Sequence, residues 1–226
     1  CVTGVQTCAL PILMEHDDLN AAVRRVLLGE NKVCGLTREQ DAQAAYEAGA
    51  IYGGLIFVDS SPRAVSEEQA RKVIAAAPLS YVGVFRNADI AEVVEKADAL
   101  SLSAVQLHGD EDQAYIDALR ATLAPQVQIW KAQRVDDTLP PRNLNHVDKY
   151  VLDNGQGGTG QRFDWSLLNG EKLDNVLLAG GLSPDNCVEA AKTGCAGLDF
   201  NSGVESQPGS KDASKLASVF KTLRAY

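Results

Sequence analysis

The chain has 226 residues, a formal net charge of -9 and a hydrophobic fraction of 45%. The acidic excess argues against a nucleic-acid or anionic-membrane surface, because such surfaces need clustered lysine and arginine. No apolar run reaches the roughly 18 residues of a membrane span, and the first residues lack the basic start and cleavage site of a secretory signal. We therefore expect a cytoplasmic protein with no nucleic-acid or membrane partner.

The first 30 residues differ in pattern from the rest of the chain. Residues 1–13 show neither helical nor strand periodicity and are interpreted as a non-native leader. Residues 14–30 contain a predicted helix over 17–28, with apolar residues at helical spacing and Gly29 as its stop. We expect this extra helix to be either a lid on the bottom of the following domain or the tail of a preceding one.

From residue 31 onward, short apolar runs recur at near-even spacing and alternate with helix-forming stretches. The predicted strands cover residues 32–37, 53–57, 81–85, 104–109, 127–131, 150–153, 176–181 and 197–201. The predicted helices cover residues 37–48, 66–77, 89–100, 112–123, 186–193 and 212–223. Thr37 and Ser66 are expected to cap the first two in capping boxes, and the Pro-rich stretch between Val135 and His146 predicts an irregular fifth crossover. The alternation and the count of eight predict an α/β fold, a single-domain (β/α)8 TIM barrel over residues 31–226.

Barrel enzymes build their sites at the carboxyl ends of the strands, where Cys34 follows the first run. Cys34 shares side-chain parity with Lys32, so both are predicted to face the interior. An inert buried thiol is one interpretation, and a nucleophile or proton acceptor is the other. A buried Lys32 ammonium needs a carboxylate, and Asp199 on the eighth strand, beside the first in a closed barrel, is its predicted partner.

Asp153 ends the sixth run, immediately before a Gly-rich loop over residues 154–162. A helix cap or a turn residue is one interpretation of this position. Against it, mobile loops over a barrel mouth commonly exclude water from a site. A carboxyl group beneath such a loop is a candidate general acid.

Two further strand ends are rich in glycine: Gly180 and Gly181 close the seventh run, and Asn201, Ser202 and Gly203 follow the eighth. We call these the two Gly-rich loops. Barrels often bind phosphate with backbone amides of these positions, and glycine lets the backbone approach the oxygens closely. Phosphate binding is therefore predicted, with two ordinary turns as the alternative.

Three polar side chains complete the set of candidates. Arg63 follows the second run, behind Pro62, and is either solvated or a clamp for a substrate carboxylate. His108 ends the fourth run and is either a site residue or a structural histidine. Gln106, two residues earlier, shares its interior parity.

Seven motifs lie at residues 32–37, 57–63, 105–109, 152–153, 157–160, 179–182 and 199–205. The motifs and their order make residues 31–226 resemble the phosphoribosylanthranilate isomerase family of tryptophan biosynthesis. Residues 14–30 are similar to the end of the indole-3-glycerol-phosphate synthase domain of the fused enterobacterial enzymes. The resemblance implies a helix and linker left from an upstream synthase domain, followed by the isomerase barrel.

The resemblance also implies the reaction, an Amadori rearrangement that needs neither cofactor nor metal. N-(5-phosphoribosyl)anthranilate, an aminoaldose, would become 1-(2-carboxyphenylamino)-1-deoxyribulose 5-phosphate, an aminoketose. By the same resemblance Asp153 would be the general acid that opens the furanose ring, and Cys34 the general base that removes the C2 proton. Arg63 would hold the anthranilate carboxylate, Gln106 and His108 would contact the substrate, and the two Gly-rich loops would hold the phosphate.

Three rival interpretations stay open at this point. The histidine-pathway isomerase performs the same rearrangement, but that family tends to show two similar half-barrels and an aspartate on the first strand, where this chain has Cys34. The synthase is a lyase whose lysine-based site would lie in the upstream domain. A catalytically inactive barrel could bind a phosphorylated ligand or a partner subunit, although the presence of both Cys34 and Asp153 weighs against it.

Overall fold

The computed structural model describes Val23, Arg25 and residues 29–154 and 162–225. The predicted leader, most of the predicted helix over 17–28 and residues 155–161 of the loop after Asp153 lie outside the described residues. The leader and the upstream helix therefore stay predictions.

Eight parallel strands close into a barrel and follow one another around it in chain order. They are β1 Lys32–Val33, β2 Tyr52–Ile56, β3 Ser80–Phe85, β4 Ala104–Leu107, β5 Gln128–Arg134, β6 Lys149–Asp153, β7 Val176–Leu178 and β8 Gly197–Phe200. β1 pairs with both β2 and β8, which closes the ring. The predicted (β/α)8 barrel is confirmed.

Helices pack around this barrel. They are α1 Glu39–Ala48, α2 Glu67–Ala76, α3 Ile90–Ala99, α4 Gln113–Thr122, α5 Cys187–Ala191 and α6 Ala213–Ala225, with 3-10 turns at Trp165–Leu168 and Ser202–Val204. Residues 135–148, all of which the structure describes, contain no helix, so the irregular fifth crossover is confirmed. A short antiparallel hairpin, β9 Glu205–Gln207 and β10 Ser210–Lys211, follows β8.

The two predicted capping boxes had different outcomes. Ser66 caps α2, since its Oγ accepts a hydrogen bond from the Gln69 backbone N–H at 3.2 Å. The box at Thr37 was wrong, because α1 begins only at Glu39 and the Thr37 hydroxyl donates instead to the Gly209 carbonyl at 2.5 Å. That bond ties the end of the first strand to the hairpin after β8, so a tertiary contact replaces the local cap.

The barrel interior contains two buried apolar clusters. One buried cluster consists of Ile51, Tyr52, Val82, Ala104, Trp130, Ala132, Val151, Leu177 and Ala179. A smaller cluster of Cys34, Ile56 and Val84 lies nearer the strand ends. Alternate strand residues point inward, so this order along each strand sets which side chains reach the mouth of the barrel.

A buried ion pair joins the first and last strands inside the barrel. Lys32 Nζ lies 2.7 Å from Asp199 Oδ2, and the two residues are direct register partners between β1 and β8. Burial lowers the pKa of Lys32, but the attraction of Asp199 and Cys34 outweighs it, and the net shift is upward. The ammonium is therefore charged, and the predicted pairing with Asp199 is confirmed.

We predict that the substitution Lys32→Met destabilises the protein by about 3 kcal/mol, because it leaves the Asp199 carboxylate buried without its partner. The double substitution Lys32→Met with Asp199→Leu is expected to cost less than the sum of the two single changes. Urea unfolding of the four proteins in this cycle measures both quantities.

The control is Lys72→Met, which breaks an exposed ion pair with Glu68 on α2. Exposed ion pairs contribute little to the free energy of unfolding, so the unfolding midpoint of Lys72→Met should match that of the unaltered protein. Strictly additive costs in the Lys32 and Asp199 cycle would show that the two charges do not depend on each other.

Candidate active site

A cavity of about 350 Å³ opens at the carboxyl ends of the strands. It is lined by Cys34, Ile56, Val58, Ser60, Ser61, Pro62, Arg63, Val84, Arg86, Gln106, His108, Val151, Asp153, Asn154, Ala179, Gly180, Gly181, Leu182, Asp199, Asn201 and Ser202. Every site residue predicted from the sequence except Gly203 is in this lining. A concavity of about 480 Å³ at the amino ends of the strands, bounded in part by Tyr52 and Gln128, contains none of them.

Cys34 lies on the floor of the cavity and is 6% exposed. Its backbone N–H donates to the Phe200 carbonyl at 2.8 Å, which extends the pairing of β1 with β8 by one residue. Burial raises the pKa of the Cys34 thiol, and the neighbouring Lys32 ammonium opposes that shift. The thiol is thus protonated at rest and has beside it the charge that would stabilise its thiolate.

Gly54 on β2 provides the space that Cys34 occupies. A Cβ at this position would lie 2.7 Å from Cys34 Sγ and 3.1 Å from Lys32 Cε. A side chain here would force Cys34 and Lys32 to shift, and glycine on the neighbouring strand avoids that. Lys32 and Cys34 are therefore packed closely against the backbone of β2.

Asp153 is the last residue of β6 and faces the same cavity. β7 and β8 separate β6 from β1 in the ring, so the carboxyl group and the Cys34 thiol approach the cavity from different sides. Burial raises the pKa of Asp153, although its Oδ1 accepts a hydrogen bond from the Asn154 N–H at 2.7 Å. A carboxyl group that stays protonated to higher pH than an exposed aspartate is suited to donate a proton.

The two Gly-rich loops lie side by side at the ends of β7 and β8. Gly180 and Gly181 have φ angles of 87° and 66°, a region that side-chain-bearing residues rarely adopt. A Cβ on Gly203 would lie 2.0 Å from the Leu182 carbonyl oxygen, so the second loop packs directly against the first. Glycine thus lets the two backbones come together at one edge of the cavity.

Arg63 reaches the cavity from the turn after β2, but its guanidinium already has a partner. Its Nε and Nη2 donate to the two carboxylate oxygens of Glu205, at 2.9 and 2.7 Å. Glu205 also accepts from Lys211 Nζ at 2.8 Å, and Lys211 donates to Asn201 Oδ1 at 3.0 Å. Burial raises the pKa of Glu205, but the two cations outweigh it and the net shift is downward. Glu205 is therefore an ionised carboxylate shared by two cations.

Glu205 and Lys211 were not among the site residues predicted from the sequence. Glu205 ends a recognised motif, whereas Lys211 lies in a two-residue strand that carries no periodic signal. Only the packing of the β9–β10 hairpin against the end of β8 brings them to Arg63. Their contribution to the site was therefore not readable from spacing along the chain.

Gln106 and His108 point into the cavity from β4 and the residue after it. Gln106 Nε2 lies 3.3 Å from His108 Nδ1. Burial lowers the pKa of His108, and the Lys32 charge adds to this effect, so the imidazole is neutral at neutral pH. Gln106 Oε1 is buried and has no hydrogen-bond partner among the described residues. It is an acceptor that faces the interior of the site.

Arg86 is a charged cavity residue that was not predicted from the sequence. It directly follows β3 and has the same parity as Val82 and Val84, so the strand alternation already placed it on the inward side. That signal was available in the sequence, but Arg86 lies beyond the apolar run and was not assigned to it.

Within the part of the chain that the structure describes, no helix is both long enough and apolar enough to cross a bilayer. In the same residues no cluster of three or more histidine, cysteine, aspartate or glutamate side chains is arranged to hold a metal ion. The expectation that the protein uses no metal and no cofactor stays a prediction.

Comparison with known proteins identifies relatives of this chain. It is 77% identical over 214 residues to the tryptophan biosynthesis protein TrpCF of Salmonella typhi, a match that covers 95% of this chain and 47% of the relative. The chain thus spans about half the length of the curated relatives it matches.

Solved structures agree with this relationship. The phosphoribosyl anthranilate isomerase of Thermus thermophilus is similar with a TM-score of 0.78 and 30% identity, covering 87% of this chain and 98% of that one. A phosphoribosyl anthranilate isomerase solved with reduced 1-(o-carboxyphenylamino)-1-deoxyribulose 5-phosphate gives a TM-score of 0.72 and 30% identity, covering 88% of this chain and all of that one. The family model of N-(5'-phosphoribosyl)anthranilate isomerase matches residues 31–222, and the chain belongs to that family.

Proposed function

We propose that this chain carries out the isomerisation of N-(5-phosphoribosyl)anthranilate to 1-(2-carboxyphenylamino)-1-deoxyribulose 5-phosphate. The observation that carries the proposal is the placement of one carboxyl group and one thiol, Asp153 and Cys34, on different sides of a single cavity, with burial raising the pKa of the carboxyl group. An aldose–ketose rearrangement needs one proton donor and one proton acceptor about a sugar. The family match and the product analogue bound by a relative support this assignment.

In the proposed mechanism Asp153 acts first. Its proton goes to the furanose ring oxygen, the C1–O bond breaks and the anthranilate nitrogen forms a Schiff base with C1. Cys34 then removes the proton from C2, and the electron pair moves towards the nitrogen to give an enolamine. Tautomerisation of the enolamine yields the aminoketose.

The environment of Cys34 explains how a buried thiol acts as a base. Burial favours the neutral thiol, so the thiolate needs a compensating charge. Lys32 supplies it from below, and the ion pair with Asp199 holds Lys32 in position at 2.7 Å. Lys32 is therefore a positioning and electrostatic residue rather than a participant in the proton transfer.

The substrate is proposed to lie across the mouth of the barrel. The two Gly-rich loops, with Gly180, Gly181, Asn201, Ser202 and Gly203, would hold the phosphate through backbone amides. Arg63 would bind the anthranilate carboxylate, as far as its pairing with Glu205 leaves donors available. Gln106 Oε1 would accept a hydrogen bond from a sugar hydroxyl, and neutral His108 would line the same wall.

For the whole protein we propose a fusion in nature to indole-3-glycerol-phosphate synthase. In this proposal residues 31–226 form the isomerase domain, and residues 14–30 are the helix and linker of the synthase. The 47% share of the relative that the chain covers supports it, as does the start of the family match at residue 31. A cytoplasmic location remains an expectation.

The direct test is an assay of N-(5-phosphoribosyl)anthranilate turnover. The loss of substrate fluorescence measures its consumption, and an added synthase converts the product to indoleglycerol phosphate. Product formation is expected without added metal. A folded protein that binds the reduced product but does not turn over the substrate would support the inactive-barrel alternative instead.

We predict that Cys34→Ala and Asp153→Asn each lower kcat at least 100-fold, roughly the contribution of one positioned base or acid. Binding of the reduced product by calorimetry should persist in both variants. Cys195→Ala is the matched control, because this free cysteine lies outside the cavity lining and its loss should leave kcat unchanged. Near-normal turnover in either site variant would remove that residue from the proposed mechanism.

The same Asp153→Asn change should make the protein more stable at pH 7. Burial raises the Asp153 pKa, so the ionised carboxylate lowers the stability of the folded state. This loss is absent below the ordinary aspartate pKa of about 3.9, grows as pH rises from there towards the raised pKa, and is complete above the raised pKa. The stability gain of the variant, measured by urea unfolding, should therefore be larger at pH 7 than at pH 4.5. An equal gain at both pH values would contradict the assignment of a raised pKa.

For the phosphate we compare two glycines with similar backbones. Gly181 and Gly194 have φ angles of 66° and 81°, so alanine costs similar backbone strain at both, but only Gly181 lines the cavity. Gly181→Ala should raise KM roughly tenfold, equivalent to one lost charge-assisted hydrogen bond, with little change in kcat. Gly194→Ala should leave KM unchanged. Equal KM values in the two folded variants would move the phosphate away from Gly181.

A further inference from the structure

Lys211, in the hairpin after β8, is a buried cation that the proposed mechanism does not use. Its side chain is fully buried. A buried ammonium has no water around it, so each of its three N–H donors needs an acceptor in the protein. Lys211 Nζ has three: Glu205 Oε1 at 2.8 Å, Asn201 Oδ1 at 3.0 Å and the Asn201 carbonyl oxygen at 3.3 Å. With its donors used in this way, the ammonium can act on a ligand only through the groups that it holds.

Asn201 is the group through which the ammonium reaches the cavity. It directly follows β8 and begins the second Gly-rich loop, and both Asn201 and Ser202 line the cavity. Lys211 binds the side-chain oxygen and the backbone carbonyl oxygen of this one residue. Asn201 is therefore held at two points, which fixes the direction in which the chain leaves the barrel and enters the loop.

The Asn201 side chain is also held from the opposite direction, by the end of the first strand. A Cβ on Gly35 would lie 2.9 Å from Asn201 Oδ1, so the amide packs directly on the backbone that follows Cys34. Gly35 has a φ angle of 69°, a region that glycine adopts readily. The start of the second Gly-rich loop is thus enclosed between the Gly35 backbone and the Lys211 ammonium.

The backbone that carries Lys211 is anchored to the outer helix α1. Its N–H donates to Asp41 Oδ2 at 3.2 Å, and its carbonyl oxygen accepts from Arg38 Nη2 at 3.3 Å. Arg38 in turn donates to both carboxylate oxygens of Asp41, at 2.9 and 2.6 Å. The ammonium therefore extends from a base that is fixed independently of any ligand.

Backbone amides bind phosphate well only when they already point at it, because ordering a loop on binding costs free energy. The contacts above hold the second Gly-rich loop in place before a ligand arrives. We propose that Lys211 is a positioning residue that orients this loop for the substrate phosphate by holding Asn201 at two points. The inference rests on the proposed function and deepens its phosphate site.

The test is a cycle between the Lys211 side chain and the phosphate of the ligand. Calorimetry compares the reduced product with the same compound lacking its phosphate, the weaker ligand being measured by displacement. Lys211→Met should weaken binding of the phosphate ligand roughly tenfold, equivalent to one misaligned charge-assisted hydrogen bond. Binding of the ligand without phosphate should stay within about twofold, because Arg63 keeps its two bonds to Glu205.

Turnover provides a second readout for the same variant. KM of Lys211→Met should rise by the factor seen in calorimetry, with kcat within about twofold, because neither Cys34 nor Asp153 is changed. A fall in kcat at unchanged KM would mean that the ammonium acts on the Cys34 thiol, and the proposal would be wrong.

Lys215→Met is the matched control. Lys215 Nζ donates to the Glu205 carbonyl oxygen at 2.7 Å, so this lysine also braces the hairpin and carries the same charge. None of its hydrogen bonds within the described part of the chain reaches Asn201. Both ligands should bind Lys215→Met normally. A similar loss of phosphate binding in Lys215→Met and Lys211→Met would indicate a general effect of charge or hairpin stability and would overturn the role of Lys211.

Asn201→Ala tests whether Lys211 acts through Asn201, since it removes the Oδ1 acceptor from the other side of the contact. In the double variant Lys211→Met with Asn201→Ala, the loss of phosphate binding should be smaller than the product of the two single losses. Independent losses would contradict action through Asn201.

If Lys211→Met does not fold, a crystal structure of the unaltered protein with the reduced product decides the question. Lys211 Nζ should stay within hydrogen-bond distance of both Asn201 oxygens while the loop contacts the phosphate. An Asn201 that moves away from Lys211 when phosphate binds would overturn the proposal.

Failure of this inference can be told apart from failure of the proposed function. Unaltered protein that turns over the substrate, together with Lys211→Met that binds both ligands normally, contradicts only the role of Lys211. Unaltered protein that binds the reduced product without turnover contradicts the proposed reaction, and the calorimetric cycle still decides the role of Lys211. Unaltered protein that does not bind the reduced product contradicts both.

Discussion

The pairing of Lys32 with Asp199 is the interaction on which the arrangement of the site depends. It lies where the first strand meets the last, so it links the closure of the barrel to the position of Cys34 two residues further along β1. A buried ion pair is weak evidence for stability, since desolvation offsets much of its attraction. Its value here is electrostatic, because it keeps a positive charge beneath a thiol that burial alone would hold neutral.

Glycine sets how closely the parts of the site approach one another. Gly54 lets β2 pack against both Lys32 and Cys34, and Gly203 lets the loop after β8 rest on the Leu182 carbonyl. Neither contact leaves room for a Cβ. Close packing at these two positions brings the backbone of β2 and of the loop after β8 up to the site, whose cavity is lined by both polar and apolar side chains.

A network of charged side chains borders the cavity at the ends of β2 and β8. Glu205 draws Arg63 and Lys211 together and so joins the turn after β2 to the hairpin after β8. This network fixes the rim, at the cost of occupying the arginine that the family resemblance assigns to the substrate. Arg86, the other arginine of the lining, has no side-chain partner among the described residues.

Local patterns in the sequence determined the barrel, most of its strand ends and the interior parity of Lys32, Cys34 and Gln106, because a period of two and βα alternation are properties of the chain itself. The pairing of Lys32 with Asp199 could also be predicted from the sequence, since closure of eight strands places β8 beside β1. Tertiary structure decided the rest. The Thr37 hydroxyl donates to the Gly209 carbonyl instead of capping a helix, and Arg63 pairs with Glu205, which is 142 positions away in the sequence. Such pairings depend on which loops pack together at the barrel mouth, and spacing along the chain does not encode that distance.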